Sequence, residues 1–401
     1  MEERIQARYS VDTAQPPERA AEVIAGEQST GTFTRVPGET DELRERHGAR
    51  VESMTRTGEG TCEVEISWPV SNLGPSLPNL LATVAGNLWE LKQFTGLHLL
   101  DLKLPPVFLE RYEGPQFGVP GTRRLCDVQG RPVIGTIIKP SVGLTPEETA
   151  QLVRKLAGGG IDFIKDDELQ CDGPHCPFEE RLAAVMRVLH EHAARTGKMV
   201  MYAANITGEI DQMLRRHDQV VAAGGTCVMV SIHSVGLPAV VALRRAAAVP
   251  IHGHRNGWGL LGRSRDIAVS FVAWQKLWRL AGVDHLHCNG IANKFWEPDE
   301  SVIASARECL QPMFSVPGKG CEIMPVFSSG QTARQAPPTF AALGTTDLIF
   351  AAGGGIMAHP GGAAAGVLSL RQAWEAAVQG IPLDTYAGSH AELRAALDRF
   401  R

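Results

Sequence analysis

The chain has 401 residues, 44% of them apolar and 21% charged, with a formal net charge of −5. That is enough apolar sequence for a sizeable core and too much for a disordered chain, and the acidic balance leaves no basic footprint for nucleic acid. No apolar run reaches the roughly 18 residues that span a membrane, and the charged opening MEERIQARYS lacks the apolar stretch of a signal peptide, so a cytoplasmic protein without a membrane partner is expected.

Ile5, Ala7, Tyr9 and Val11 alternate with polar residues, as on a half-buried strand. PERAAEVIAGEQ reads as a short helix. Cys62, Val64, Ile66 and Trp68 then alternate again, with Glu63 and Glu65 on the other face and Pro69 ending the run. This is an α+β pattern with an antiparallel sheet. The Pro- and Gly-rich stretch PPVFLERYEGPQFGVPG marks a boundary, dividing a first domain over residues 1–115 from a second over 116–401.

From Pro132 the rhythm changes. Eight short apolar runs follow: PVIGTIIK, GIDFIKDD, MVMYAAN, TCVMVSIH, VPIHGH, GVDHLH, CEIMPVFSS and DLIFAAGGG. Helical segments separate most of them. Thr145-Pro146-Glu147-Glu148 is a capping box with proline at the first helical position; Leu152, Val153 and Leu156 share a face, and Gly158-Gly159-Gly160 stops the helix. A second helix is expected from about Pro177 to Arg195, burying Leu182, Val185, Met186 and Leu189. Eight strands alternating with helices predict an α/β fold closed as a (β/α)8 TIM barrel, with a doubly wound open sheet as the alternative.

In such barrels the catalytic groups lie at the C-terminal ends of the strands. The eight runs end in Lys139; Lys165-Asp166-Asp167-Glu168; Asn205; His233; His254-Arg255; His285 and His287; Ser328-Ser329-Gly330; and Gly353-Gly354-Gly355. Alternation puts Lys165 and Asp167 on one face with Glu168 at the turn beyond, where two carboxylates suit a hard divalent cation. A neutral lysine there can act as a base or bind CO2 as a carbamate; a salt-bridged surface turn is the plainer alternative. Glycine-rich turns after the last strands commonly cradle phosphate, though a triple glycine is also an ordinary tight loop. Arg255 can pair a phosphate or carboxylate, and three histidines on neighbouring strand ends (His254, His285, His287) point to a polar active site. The spacing CDGPHC (Cys171, His175, Cys176) suggests a metal clip but has no second Cys/His pair; reduced, mostly buried thiols are the alternative.

These segments resemble the RuBisCO large chain in order along nearly the whole sequence. GTIIKPSVGLTPEE is similar to its GTIIKPKLGL, GGIDFIKDDEL to GGLDFTKDDE, HGHR to HIHR, and GVDHLHCNGIANK to GDHIHSG…GK. PVFSSG is similar to PVASGG, GGGIMAHPGG to GGGTLGHP, and EQSTGTF to ESSTGTW. TVAGNLWELK resembles the segment with the family's active-site asparagine. The resemblance implies a ferredoxin-like first domain before the barrel. It implies Mg2+ held by a carbamylated Lys165 (CO2 bound as the lysine carbamate), Asp167 and Glu168, with Lys139 as the catalytic base. His254 takes the place of the strand 5 histidine, Arg255 and His287 the place of phosphate holders, and Lys294 that of the mobile loop lysine. Ser328, Gly330, Gly354 and Gly355 match remaining phosphate and sugar contacts. Glu27, Thr32 and Asn87 match residues that reach a neighbouring subunit, which implies a homodimer or an assembly of dimers.

The departures bear on the reaction. Ser141 replaces a second lysine, Trp258 a histidine and Phe33 a tryptophan that contacts phosphate, and SSGQ stands for SGG-I. Losing an ammonium beside Lys139 changes what favours its neutral form, which argues against ribulose bisphosphate carboxylation and for a form IV, RuBisCO-like protein. By that resemblance it is an Mg2+-dependent enzyme that works through an enediolate on a phosphorylated keto sugar or sugar acid. One branch of the family decarboxylates or transcarboxylates 3-oxo-isoapionate 4-phosphate. Another tautomerises or isomerises methylthio-sugar phosphates of methionine salvage, and a non-catalytic sugar-phosphate-binding protein is a third reading. Asn87, where the methionine-salvage branch carries a base lysine, and the retained Lys294 favour the sugar-acid branch.

Overall fold

A computed structural model describes residues 3–31 and 35–401, and these described residues form thirteen strands. In chain order they are β1 (Arg4–Thr13), β2 (Arg50–Gly58), β3 (Thr61–Pro69), β4 (Phe94–Lys103), β5 (Val133–Ile137), β6 (Phe163–Lys165) and β7 (Met201–Asn205). There follow β8 (Cys227–Ser231), β9 (Ile251–His254), β10 (Ile267–Val269), β11 (His285–His287), β12 (Met324–Phe327) and β13 (Ile349–Ala351). They fall into two compact units.

The first unit comprises residues 1–114, 257–281 and 312–321. Its five-stranded sheet has the order β10-β4-β1-β3-β2. The two alternating runs seen in the sequence pair directly: Ile5 faces Trp68, Ala7 faces Ile66, Tyr9 faces Val64 and Val11 faces Cys62. Each of these eight side chains is buried, because period-2 alternation places them all on the face covered by helix. The helix Pro17–Glu27 opens on its proline and buries Ala20, Ala21, Ile24 and Ala25, and the buried Tyr9 hydroxyl donates to the Val84 carbonyl at the end of a second helix, Leu77–Ala85. β4 runs antiparallel to β1, and β10 joins β4 in parallel.

The second unit holds a closed barrel of eight parallel strands in the order β11-β12-β13-β5-β6-β7-β8-β9. All eight apolar runs become barrel strands. Alternation sends every second side chain inward. Val133, Ile137, Phe163, Met201, Ala203, Cys227, Met229, Met324, Val326, Ile349 and Ala351 form one buried cluster that fills the barrel. The capping box is present: Glu148 N donates to Thr145 Oγ1 and Thr145 N to Glu148 Oε2, starting the helix Pro146–Gly158. The next helix, Phe178–Thr196, buries Leu182, Val185, Met186 and Leu189 and stops at Gly197 in the left-handed region (φ 76°). Among the described residues no helix is long and apolar enough to cross a membrane.

Candidate active site

The same alternation that fills the barrel decides what stands at its C-terminal rim. β6 points Phe163 and then Lys165 inward. Lys165 is fully buried; its Nζ donates to the Asp166 carbonyl at 2.8 Å and lies 3.4 Å from Glu168 Oε2. Burial lowers its pKa, against the pull of Glu168 and Asp167 in the other direction. Asp167, also buried, takes Lys139 Nζ at 2.6 Å on Oδ2 and the Leu169 N–H on Oδ1. Lys139 Nζ also donates to Ser141 Oγ at 2.7 Å, so the residue that replaces a family lysine accepts a hydrogen bond from this amine.

Glu168 is partly exposed. Burial raises its pKa, but His254 and Lys165 beside it outweigh that and hold it below the usual carboxylate range. His254 Nε2 stands 3.4 Å from Glu168 Oε2, and burial, followed by the charge of Lys165, holds its pKa low.

Two residues behind this cluster fix its backbone. Asn205, at the end of β7, donates to the carbonyls of Asp167 and Glu168. Asp166 points away from the cluster and accepts from Tyr202 Oη at 2.6 Å, Asn205 N at 2.9 Å and Arg181 Nε at 3.3 Å. The KDDE run therefore divides by alternation: Lys165 and Asp167 face the rim cluster, and Asp166 bonds to the structure behind it.

The phosphate-side expectations meet a different geometry. Arg255 Nη2 is paired with the Glu297 carboxylate, which also accepts from Asn289 Nδ2 at 2.6 Å and Ser301 Oγ at 2.9 Å. His287 stands against His254, ring centroids 4.4 Å apart; its Nε2 meets His252 Nε2 at 2.8 Å and its Nδ1 meets Ser328 Oγ at 3.0 Å. Lys294 is exposed, with its backbone N–H on the Ser329 carbonyl and its ammonium over the Phe295 ring. Gly330 has φ 91° and a Cβ there would stand 3.6 Å from Lys294 Cβ. The glycine triplet opens a short helix, Gly353–Met357, in which a Cβ on Gly355 would lie 2.4 Å from the Gln331 carbonyl, while one on Gly354 would meet nothing.

His285 is a correction. It points inward but two residues deeper than His287, where Nε2 meets Thr122 Oγ1 at 2.8 Å and the ring stands edge-on to Phe163. Burial holds its pKa down to about 3, so it is a neutral residue of the barrel floor and not a rim group. His252, Asn289, Glu297 and Gln331 were missed. His252 lies in the HGH run at inward spacing from His254, a signal that could have found it; Asn289, Glu297 and Gln331 are drawn to the rim by bonds to Ser329, Arg255 and the Ile291 carbonyl, each about 40 residues away in the chain. His233 Nδ1 meets the Asn256 carbonyl. In CDGPHC, Cys171 Sγ donates to the Thr207 carbonyl and His175 Nε2 faces the Gly143 carbonyl. All eight cysteines are free thiols, and among the described residues no three His, Cys, Asp or Glu side chains converge as a metal cage.

In the first unit, Glu27 ends the helix Pro17–Glu27 and Asn87 opens a 3-10 turn. The side-chain amide of Gln28, oriented to donate to the Ala82 carbonyl, accepts from Asn87 N at 3.0 Å and so ties Gln28, next to Glu27 in the chain, to the start of that turn. Thr32 and Phe33 lie outside the described residues.

A barrel with a lysine and two carboxylates at one strand end fits the RuBisCO large chain family, and the chain belongs to that family. Residues 118–400 match the ribulose bisphosphate carboxylase large chain catalytic domain, and residues 4–108 match its N-terminal domain. The chain is 55% identical, over all of both sequences, to a 3-oxo-isoapionate-4-phosphate transcarboxylase/hydrolase of Xanthobacter autotrophicus. It is 44% identical to a 3-oxo-isoapionate-4-phosphate decarboxylase of Rhizobium etli, over 98% of this chain and 97% of that one. A crystal structure of a rubisco-like protein from Burkholderia fungorum superposes with a TM-score of 0.92 at 44% identity, covering 99% of this chain and all of the other.

Proposed function

We propose that this chain is a Mg2+-dependent decarboxylase or transcarboxylase of 3-oxo-isoapionate 4-phosphate. The observation that carries the reading is the company of Lys165. Its amine is fully buried beside the carboxylates that face the rim, Asp167 and Glu168, and burial favours its neutral form. A hard cation prefers six or more oxygen ligands. Addition of CO2 to the neutral amine, with loss of one proton, makes a carbamate and supplies the third anionic ligand. The chemistry that bound Mg2+ contributes there is stabilisation of negative charge on oxygen, commonly worth several kcal/mol.

The chain's own groups do the rest. In a 3-oxo acid the bond between the carboxylate carbon and its neighbour breaks, its electron pair passes toward the keto oxygen, and CO2 leaves. Lys139, whose amine is 2.6 Å from Asp167, delivers a proton to the carbon that has lost the carboxylate. The Ser328 hydroxyl and the Gly354–Gly355 backbone hold the phosphate, and Lys294 closes over the carboxylate. Glu27 and Asn87, both in the unit without the metal motif, serve the barrel of a second copy, and the working form is a homodimer in the cytoplasm.

The test is to offer 3-oxo-isoapionate 4-phosphate, ribulose 1,5-bisphosphate and the methylthio-sugar phosphates side by side while CO2 is measured directly. CO2 release from the first compound is expected. Turnover of a methylthio compound alone, without CO2, would move the assignment to the tautomerase branch.

A further inference from the structure

A line of hydrogen bonds runs from the barrel interior to the rim, and its direction is fixed at both ends. At the rim, Asn289 Nδ2 donates to the Glu297 carboxylate, so Asn289 Oδ1 is an acceptor, and Ser329 Oγ donates to it at 3.0 Å. That uses the Ser329 hydrogen. The contact between Ser328 Oγ and Ser329 Oγ, 3.3 Å, must then be donated by Ser328. With its only hydrogen spent, Ser328 cannot donate to His287 Nδ1, 3.0 Å away, so the proton between them belongs to the imidazole.

The interior end gives the same answer independently. His252 and His287 meet Nε2 to Nε2 at 2.8 Å, and burial holds both well below their ordinary pKa, so each ring carries one proton. His252 is fully buried against Phe163 and its Nδ1 has no partner among the described residues. If His287 donated, His252 would carry its proton on that unpartnered nitrogen, leaving an orphaned buried N–H, which is rarer in proteins than an under-used acceptor. Asn289 and Ser329 both lie in the left-handed region, at φ 66° and 71°, a conformation that asparagine tolerates and serine seldom adopts.

We propose that His252 is a positioning residue: by donating from Nε2 to His287 Nε2 it fixes His287 as the Nδ1–H tautomer and leaves the Ser328 hydroxyl hydrogen as a donor for a substrate oxygen. His287 then has neither nitrogen free for a phosphate and acts through Ser328. On substrate binding the Ser328 hydrogen turns from Ser329 to the substrate oxygen while its own oxygen still accepts from His287. The relay rests on the barrel rim being the active site, as proposed above, but its tautomers exist without substrate.

The experiment is 15N NMR of the whole protein labelled at histidine, which distinguishes a protonated from a bare ring nitrogen. The expected result is a proton on His287 Nδ1 and on His252 Nε2; a proton on His287 Nε2 overturns the proposal. In His252→Phe an Nε2–H population of His287 should appear and kcat/KM fall about 10- to 100-fold. His252→Gln, which keeps an amide donor at the same reach, should restore the Nδ1–H signal and most of the loss. A His252→Phe protein with unchanged tautomer and unchanged kcat/KM also overturns it. If His252→Phe fails to fold, the wild-type spectrum still decides. A correct tautomer in a protein that leaves the sugar acid untouched keeps the relay and removes only the substrate assignment.

Discussion

Asp162 and Asp167 flank the same short strand, β6, and both are almost fully buried, yet they keep opposite company. Asp162, at the strand's beginning, accepts two bonds from Arg131 at 2.5 and 3.0 Å, one from Lys198 and one from the Ile134 N–H. Asp284, which opens β11 at the same end, accepts three backbone N–H groups, from Phe117, Gly118 and Ile251. At the strand's far end, Asp167 has one lysine, itself partly exposed, and one backbone N–H. The lower rim spends its carboxylates on closing the barrel. The upper rim leaves carboxylate oxygens and amines with fewer fixed partners, which suits the proposed binding of a metal and a substrate.

The largest expected effect separates the two ends. Asp167→Asn should lower turnover about 100- to 1,000-fold or more, the usual cost of removing one group that stabilises charge in the transition state, with little change in the urea midpoint. Asp162→Asn should do the reverse. Removing one partner of a buried, multiply bonded ion pair costs about 3–5 kcal/mol, while turnover per folded molecule stays close to wild type. Equal stability losses in the two variants would erase the distinction between the rims.

A smaller effect lies in the pH dependence. Burial pushes the Asp162 pKa up, but Arg131 and Lys198 outweigh it and the net shift is downward. A carboxylate with a lowered folded pKa contributes stability that is complete above its unfolded value, about 4, and is lost as pH falls through the lower folded value. Asp162→Asn has already lost that contribution at neutral pH. Its stability should therefore fall less steeply below pH about 4 than that of the wild type, measured as urea midpoints in a buffer series.

Most of the barrel was legible because buried parallel strands are short apolar runs and their ends carry the polar residues. Lys165, Asp167 and Glu168 could be read for the same reason, since a period of two decides which of four charged neighbours face inward. β2 was not legible: its nine residues are nearly all exposed and carry no alternating apolar signal. Nor was β10, three residues within the barrel's stretch of sequence that pair with β4 through contacts about 170 residues apart in the chain. The histidines divide along the same line. His254 and His287 were placed by position at strand ends, whereas His285 was misread because one step of alternation carries it from rim to floor. Glu297 gave no clear sign, since its cationic partner, Arg255, lies 42 residues away in the chain and is brought to it by the closing of the barrel.

The smallest expected signal concerns Glu27 and Asn87. Mixed Asn87→Ala and Lys165→Ala proteins, each inactive alone, should regain part of the wild-type turnover after subunit exchange, because some mixed dimers carry one intact site. A fully active monomer would contradict the shared site.

The most direct measurement is made on Lys165 itself. The protein is incubated with Mg2+ and 13C-labelled bicarbonate, the carbamate carbon is followed by 13C NMR, and CO2 release from 3-oxo-isoapionate 4-phosphate is assayed in the same samples. The predicted result is a carbamate signal that is absent in Lys165→Ala and that rises together with turnover. Full turnover in CO2-free, Mg2+-free buffer, with Lys165 unmodified, would contradict it.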